Sequence, residues 1–171
     1  PRHKIMQHFL EKKNIGLLCC KRQTSFDFQH VFIADKISER CAVSLQTGEV
    51  GYVFPLYLYA DDGTKVSNLD KEIWQKMDGV VGKTTPEDIL DYIYAVLHSP
   101  NYRDKYREFL KIDFPRVPYP EDKDKFWNLV KLGSQLRELH LLNSVNVDKF
   151  ITTFPEGGSN KVNKKFPVYE D

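Results

Sequence analysis

The run Lys21-Arg22-Gln23-Thr24-Ser25 places five hydrogen-bonding side chains on five consecutive positions. Arginine presents a planar fork that fits the edge of guanine, and glutamine matches the donor and acceptor of adenine. On an exposed inter-strand loop, residues 21–25 have the side-chain types needed to read base edges. The same composition also describes an ordinary polar loop. His30, Lys36, Ser38 and Arg40 lie close in sequence and would supplement such a loop. Arg2, Lys4, Lys12 and Lys13 are better suited to phosphate contact, which positions a duplex without specifying its sequence. Arg116 is a further candidate. Tyr57 and Tyr59 have faces on which a flipped base could stack, or they pack at a core or sheet edge. Tyr92, Tyr94 and Tyr102 are assigned to helix packing.

Other chemistries leave few traces. The sequence contains no Walker-type phosphate loop, no GxSxG and no HExxH. Cys19 or Cys20 with a distant histidine would make a nucleophilic pair, but both sit in the apolar run IGLLCC, residues 15–20, where inert buried thiols are expected. With Cys41 the count is three, and no CxxC is present, which favours buried free thiols in a reducing cytoplasm. A zinc site from Cys19, Cys41 and a histidine fits no standard spacing. Asp61-Asp62 and Asp122 with Asp124 are better explained by a turn and a helix cap than by a metal. His98 and His140 fall near expected helix C-termini, where the dipole favours imidazolium. The chain is therefore expected to have no catalytic and no metal-binding residues of its own.

The 25 basic and 24 acidic side chains nearly cancel. Their distribution does not. Residues 1–26 hold Arg2, Lys4, Lys12, Lys13, Lys21 and Arg22 against Glu11 alone, with His3 and His8 in addition. A basic end on a balanced body suits a phosphate backbone, and it also suits a solvated helix face. A small basic patch lies at 161–165. No run of eighteen apolar residues and no signal-peptide pattern occurs, so a cytoplasmic chain without membrane contact is expected. The chain begins at Pro1, which suggests a piece of a longer protein. Its 171 residues suffice for one domain. Within it, residues 1–66 read as mostly β, 67–153 as mostly helical, and 154–171 as loop and tail.

The elements that must hold these residues follow from local patterns. Residues 3–13 read as a short amphipathic helix, with Asn14 capping its end. Residues 15–20, 30–34 and 41–45 read as strands. YVFPLYLY, residues 52–59, is β-prone, and Pro55 places it at an edge, a bend or a strand end. Asp61-Asp62-Gly63 signals a turn. Residues 68–77 suggest a short helix. Thr85 is a good N-cap, Pro86 suits the first helical position, and Glu87 and Asp88 complement the dipole. Ile89, Ile93, Val96 and Leu97 then recur along one helical face until Pro100 ends the helix. Tyr102, Tyr106, Phe109 and Leu110 repeat that spacing in a second helix. Pro115, Pro118 and Pro120 hold an extended connector. Asp122 caps a third helix with Phe126, Leu129, Val130, Leu136 and Leu139 on its apolar side, and Asn143 is the expected C-cap. Strands first and helices after describe an α+β fold: a small mixed or antiparallel sheet in the N-terminal third, packed with a helical block over residues 86–142.

PEDILDYIYAVLHSPNYRDKYREFLKIDFPRVPYP and the following FWNLVKLGSQLRELHLL resemble the C-terminal region of type ISP restriction–modification enzymes and related N6-adenine DNA methyltransferases. NIGLLCCKRQ, HVFIAD and YVFPLYLYADDG match that family's pattern in the same order, so the resemblance spans roughly residues 2–143. It implies a target recognition domain that follows a methyltransferase core and holds double-stranded DNA while the core methylates adenine. The implied partners are duplex DNA and that core. S-adenosylmethionine is expected in the parent protein and no cofactor in this segment, because the glycine-rich motif for it is absent. The catalytic Asn/Asp-Pro-Pro-Tyr/Phe tetrapeptide is absent too. Asp113-Phe114-Pro115-Arg116 is superficially similar but lacks the paired prolines and the aromatic. The alternative reading is an interaction domain that docks a methyltransferase or nuclease core without reading DNA.

Overall fold

A computed structural model of the chain describes residues 3–25, 27–45, 48–153 and 157–158. Arg2, the basic patch at 161–165 and most of the 154–171 tail lie outside the described residues.

The apolar run after Asn14 forms strand β1, Gly16–Cys20. Both its edges are filled. Strand β2, Phe32–Ala34, pairs antiparallel on one side with Gly16 opposite Ala34. Strand β3, Gly51–Pro55, pairs antiparallel on the other, with Gly16 opposite Pro55 and Cys20 opposite Gly51. Leu18, Cys19 and Cys20 are all buried, so both faces of β1 are covered and alternate side chains find apolar surroundings on either side. Pro55 ends β3, as expected from a residue that cannot donate to a ladder. The chain bends at Leu56, whose N–H donates to Ile15 O at 2.8 Å, and re-enters as β4, Tyr57–Tyr59. A turn at Asp61-Asp62-Gly63 leads to β5, Lys65–Ser67, which pairs antiparallel with β4. Gly63 has φ +84°, and the Asp62 carboxylate accepts the Thr64 N–H at 2.8 Å.

Two strand and helix expectations are corrected. Residues 41–45 form no strand: β2 and β3 already occupy both edges of β1, and the N–H of Gly51 bonds Arg40 O at 2.9 Å. The helix expected over 3–13 stops as α1, His3–Met6, and continues as turns. Glu11 adopts φ 54°, and the chain folds in so that the Phe9 ring packs against Gly16. Asn14 is not a helix cap. Its side chain donates to His8 O (3.0 Å) and Tyr57 O (2.8 Å) and accepts from the N–H groups of Ile15 (3.0 Å) and Tyr57 (3.2 Å).

The helices follow their caps. Asp70 starts α2, Lys71–Val81, by accepting from the N–H groups of Glu72 and Ile73. Thr85 and Asp88 form a reciprocal capping box at the start of α3, Pro86–His98. Ser99 ends α3 and caps α4, Pro100–Lys105. The expected second helix breaks at Tyr106 (φ −108°, ψ 16°) and resumes as α5, Arg107–Leu110. Asp122 caps α6, Lys123–His140. That helix ends in a left-handed residue, and it is Leu142 (φ 59°) in place of the expected Asn143. The N–H of Asn143 donates to Glu138 O and that of Leu142 to Leu139 O, the two bonds of a Schellman motif.

Helix α3 is buried on more than the expected face, because α6 covers a second side and the proline connector a third. Tyr94 and Leu97 have no exposure, and the Tyr92 hydroxyl donates to Pro118 O at 3.0 Å. Gly133 lets α6 approach closely: a Cβ there would lie 1.9 Å from Asp91 O. Beside this contact the buried Asp91 accepts both forks of Arg137, at 2.7 and 3.1 Å. The core joins sheet and helices through Val31, Ile33, Leu56, Val81, Leu97 and Phe126.

Candidate functional site

The loop 21–25 leaves the C-terminal end of β1 and is fastened from below by a residue that the sequence did not single out. Glu49 is 2% exposed. Its Oε1 accepts the Thr24 N–H (2.7 Å), the Thr24 hydroxyl (3.0 Å) and the Ser25 N–H (2.7 Å). Its Oε2 accepts the Ser44 hydroxyl at 2.8 Å, and its backbone oxygen accepts the Cys20 thiol at 3.2 Å. Burial alone would raise this carboxyl. The Ser25 N–H, the Ser44 hydroxyl and the Thr24 N–H overcome it and hold Glu49 down at about 2. Thr24 and Ser25 thus use their backbone to hold the loop's shape.

The named side chains around this loop differ in what they can reach. Gln23 is turned inward, at 1% exposure, with Nε2 donating to His30 Nδ1 at 2.7 Å. His30 is half-buried and lies 6.2 Å from the Phe32 ring. Arg22 is exposed, and among the described residues no hydrogen bond or ion pair engages its guanidinium. Arg40 is also exposed, held near the loop by its backbone bond to Gly51. Lys21 lies 4.0 Å from Asp113 and 6.0 Å from the centre of the Phe114 ring. Arg116 lies 4.0 Å from the same Asp113 and packs over Phe109 at 5.1 Å. One carboxylate in the proline connector therefore brings Lys21 and Arg116 together. Phe114 supports that corner with edge contacts to Tyr52 (5.1 Å) and Phe54 (5.5 Å).

The remaining basic candidates lie elsewhere. Lys12, Lys13 and Lys36 line a cleft of about 480 Å³ at the N-terminal end of β1, with Lys65 and Arg137. The five-residue strand separates this cleft from loop 21–25 by roughly 17 Å at 3.4 Å per residue. Lys36 pairs with Asp35 at 3.3 Å, and the Ser38 hydroxyl donates to Lys36 O at 3.4 Å. Lys4 is exposed on α1. Tyr59 donates its hydroxyl to Lys13 O at 2.6 Å, and Tyr57 donates its own to Glu87 Oε1 at 2.6 Å. The sequence candidates thus divide into two clusters. Lys65 and Glu49 were missed, because neither sits in a run of like residues.

Cys19, Cys20, His98 and His140 have structural surroundings. Burial pushes Cys19 up to about 12 and Cys20 to about 11, so neither supplies a thiolate near neutrality. Cys41, expected to be buried, is exposed. His98 departs from the dipole argument. Burial, followed by the nearby Arg103, lowers it to about 4. Its Nε2 donates to Val31 O at 3.1 Å, and its Nδ1 accepts from Arg103 at 3.2 Å, an arrangement that requires neutral imidazole. His140 Nδ1 meets the Tyr94 hydroxyl. Among the described residues, no group of three His, Cys, Asp or Glu side chains is placed to hold a metal, and no helix is long and apolar enough to cross a membrane.

Solved structures similar to this one include two complexes with DNA or a DNA mimic. The DrdV–DNA complex, from electron cryomicroscopy, superposes with a TM-score of 0.64 at 26% identity, over 76% of this chain and 12% of that one. A nuclease-deletion mutant of the Type ISP restriction-modification enzyme LlaGI, in complex with a DNA substrate mimic, superposes with a TM-score of 0.56 at 28% identity, over 76% of this chain and 10% of that one. The chain spans about a tenth of the length of each. No curated protein matches it. The family model for the type ISP C-terminal specificity domain matches residues 1–171, from the first residue to the last. With its α+β fold and its ordered sequence blocks, the chain belongs to the type ISP C-terminal specificity domain family.

Proposed function

We propose that this chain is the DNA target-recognition module of a restriction–modification enzyme, and that loop 21–25 with Arg40 and Arg116 is its reading surface. The observation that carries this is Arg22: an exposed guanidinium, unpaired among the described residues, on a loop whose backbone is fixed by the buried Glu49. A fork held at a defined place is what bidentate reading of a guanine edge requires. Gln23 serves this surface from within by holding His30. The longer enzyme would supply the methyltransferase core, adenine as the modified base, and S-adenosylmethionine bound to that core. The chain itself contributes recognition and no catalytic group. A cytoplasmic location fits its free cysteines, one of them exposed.

The test is selection from a random duplex library, using the enzyme that carries this chain and its Arg22→Ala variant. We expect the variant to lose about 1–3 kcal/mol of discrimination at one base pair with the fold intact. Unchanged preference and affinity would remove Arg22 from the reading surface. A second reading, a docking module for the methyltransferase or nuclease core, is favoured by the exposed Leu132, Leu142, Val145 and Phe150. Salt separates the two, since affinity for a duplex falls steeply with ionic strength and apolar docking does not.

A further inference from the structure

We propose that the cleft at the N-terminal end of β1 is a second, sequence-independent anchor for the phosphate backbone of duplex DNA, carried by Lys12, Lys13 and Lys65. The inference rests on the reading above that the chain recognises a duplex.

The charges in the cleft support it. Three carboxylates line the cleft: Asp35 and Glu138 pair with Lys36 and Arg137, and Glu87 accepts the Tyr57 hydroxyl, which leaves the cations in excess. Arg137 is itself committed to the buried Asp91. Lys12, Lys13 and Lys65 are different. Among the described residues, no carboxylate lies within ion-pair distance of any of them. Two are steered by aromatic rings. Lys65 Nζ sits 3.6 Å from the centre of Tyr57, and Lys12 Nζ sits 5.6 Å from the centre of Tyr59. A ring attracts and orients an ammonium without cancelling its charge. The hydroxyls of those two tyrosines are fixed by Glu87 and by Lys13 O, so the rings are rigid supports.

The chemistry favours backbone over base. Three ammonium groups are point charges without the fork that distinguishes one base edge from another. A face of each tyrosine ring is already covered by lysine, which leaves less surface for a base to stack on. The roughly 17 Å between cleft and loop is about half a helical turn of B-DNA, within the span of a duplex seated on the loop. The cleft then sets position while the loop reads sequence.

The experiment measures duplex affinity of the enzyme that carries this chain across a salt series. Wild type is compared with the triple variant Lys12→Ala, Lys13→Ala, Lys65→Ala, and with the corresponding triple Lys→Arg. The alanine variant is expected to bind every duplex roughly tenfold or more weakly. The slope of log affinity against log salt should fall by about 2–3, with base preference unchanged. The arginine variant keeps the charge and should keep the affinity, which controls for folding. If the wild type binds duplex and the alanine variant shows the same affinity and slope, the cleft is no anchor and the recognition reading stands. A change in base preference would also overturn the anchor. If the wild type binds no duplex at all, both readings fall together.

Discussion

The two ends of β1 hold their cations in different ways. At its C-terminal end, Lys21 and Arg116 share Asp113, and Glu49 is buried under the loop. One carboxylate serves two cations there, Arg22 is left without a partner among the described residues, and what the structure secures is the shape of the loop. At the N-terminal end, Lys12 and Lys65 rest over tyrosine rings, and among the described residues no carboxylate lies within ion-pair distance of either. There the structure preserves charge and leaves the side chains on an open rim. The difference teaches that a basic cluster in a sequence can serve two purposes. Discrimination needs few cations and a rigid loop, and anchoring needs several cations and little else.

Breaking each end separately should expose this contrast. The largest effect is expected at the floor of the cleft. Arg137→Ala leaves Asp91 buried and unpaired, and should cost about 3–5 kcal/mol in urea unfolding. Replacing both by apolar residues of similar volume should recover most of it, which would identify Arg137 as a structural cation and not a ligand for DNA. If Arg137→Ala is as stable as wild type, the floor is not what supports the cleft.

Next comes the loop. Glu49→Ala strands the N–H groups of Thr24 and Ser25 and should cost about 2–3 kcal/mol. Its dependence on pH has a definite sign. Glu49 is held at about 2 in the folded chain, below the value of about 4.3 for a free glutamate. Its contribution is complete above that free value and is lost as pH falls through 4 towards 2. The stability gap between wild type and Glu49→Gln should be widest near neutrality and close towards pH 2. A gap independent of pH would mean that the carboxylate's charge does not fasten the loop.

The smallest effect concerns the end of α6. Leu142 adopts a left-handed conformation that suits glycine. Leu142→Gly should stabilise the chain by about 0.5 kcal/mol, the relief of strain being partly offset by the freer unfolded chain. A loss of stability would show that the exposed leucine makes a contact worth more than its strain.

Local chemistry was legible in the sequence, and non-local chemistry was not. Thr85, Asp122 and Pro55 act within a few positions of themselves, and their roles follow from residue type. The strand 15–20 and the turn at Gly63 were readable for the same reason. The helix expected over 3–13 failed because Phe9 gains more by packing on Gly16 than by extending a short helix. Glu49 gives no local sign of burial, since its partners lie 24 and 25 positions away. Gln23 looks like any loop glutamine until His30 is folded against it. The ion pair of Asp91 and Arg137 spans 46 positions. Its one sequence trace is Gly133, a lone glycine inside a helical pattern, which marks a close approach. Of the candidate site, the residue types and a separation of loop from flanking lysines were visible, but not that Lys36 and Lys65 would join Lys12 and Lys13 in one cleft.

The placement of β1 between two later strands has a consequence for synthesis. Gly16–Cys20 leaves the ribosome before either neighbour, and the pairing of Gly16 with Pro55 waits for a residue 39 positions downstream. At translation rates of about 5–20 residues per second, the strand stands incomplete for roughly two to eight seconds. An apolar strand with open edges is a template for wrong partners during that interval. The lysines that flank it, Lys12, Lys13 and Lys21, place like charges on every nascent copy and oppose such pairing. The same side chains that suit a nucleic-acid backbone in the finished molecule would then guard its most vulnerable strand while it is being made.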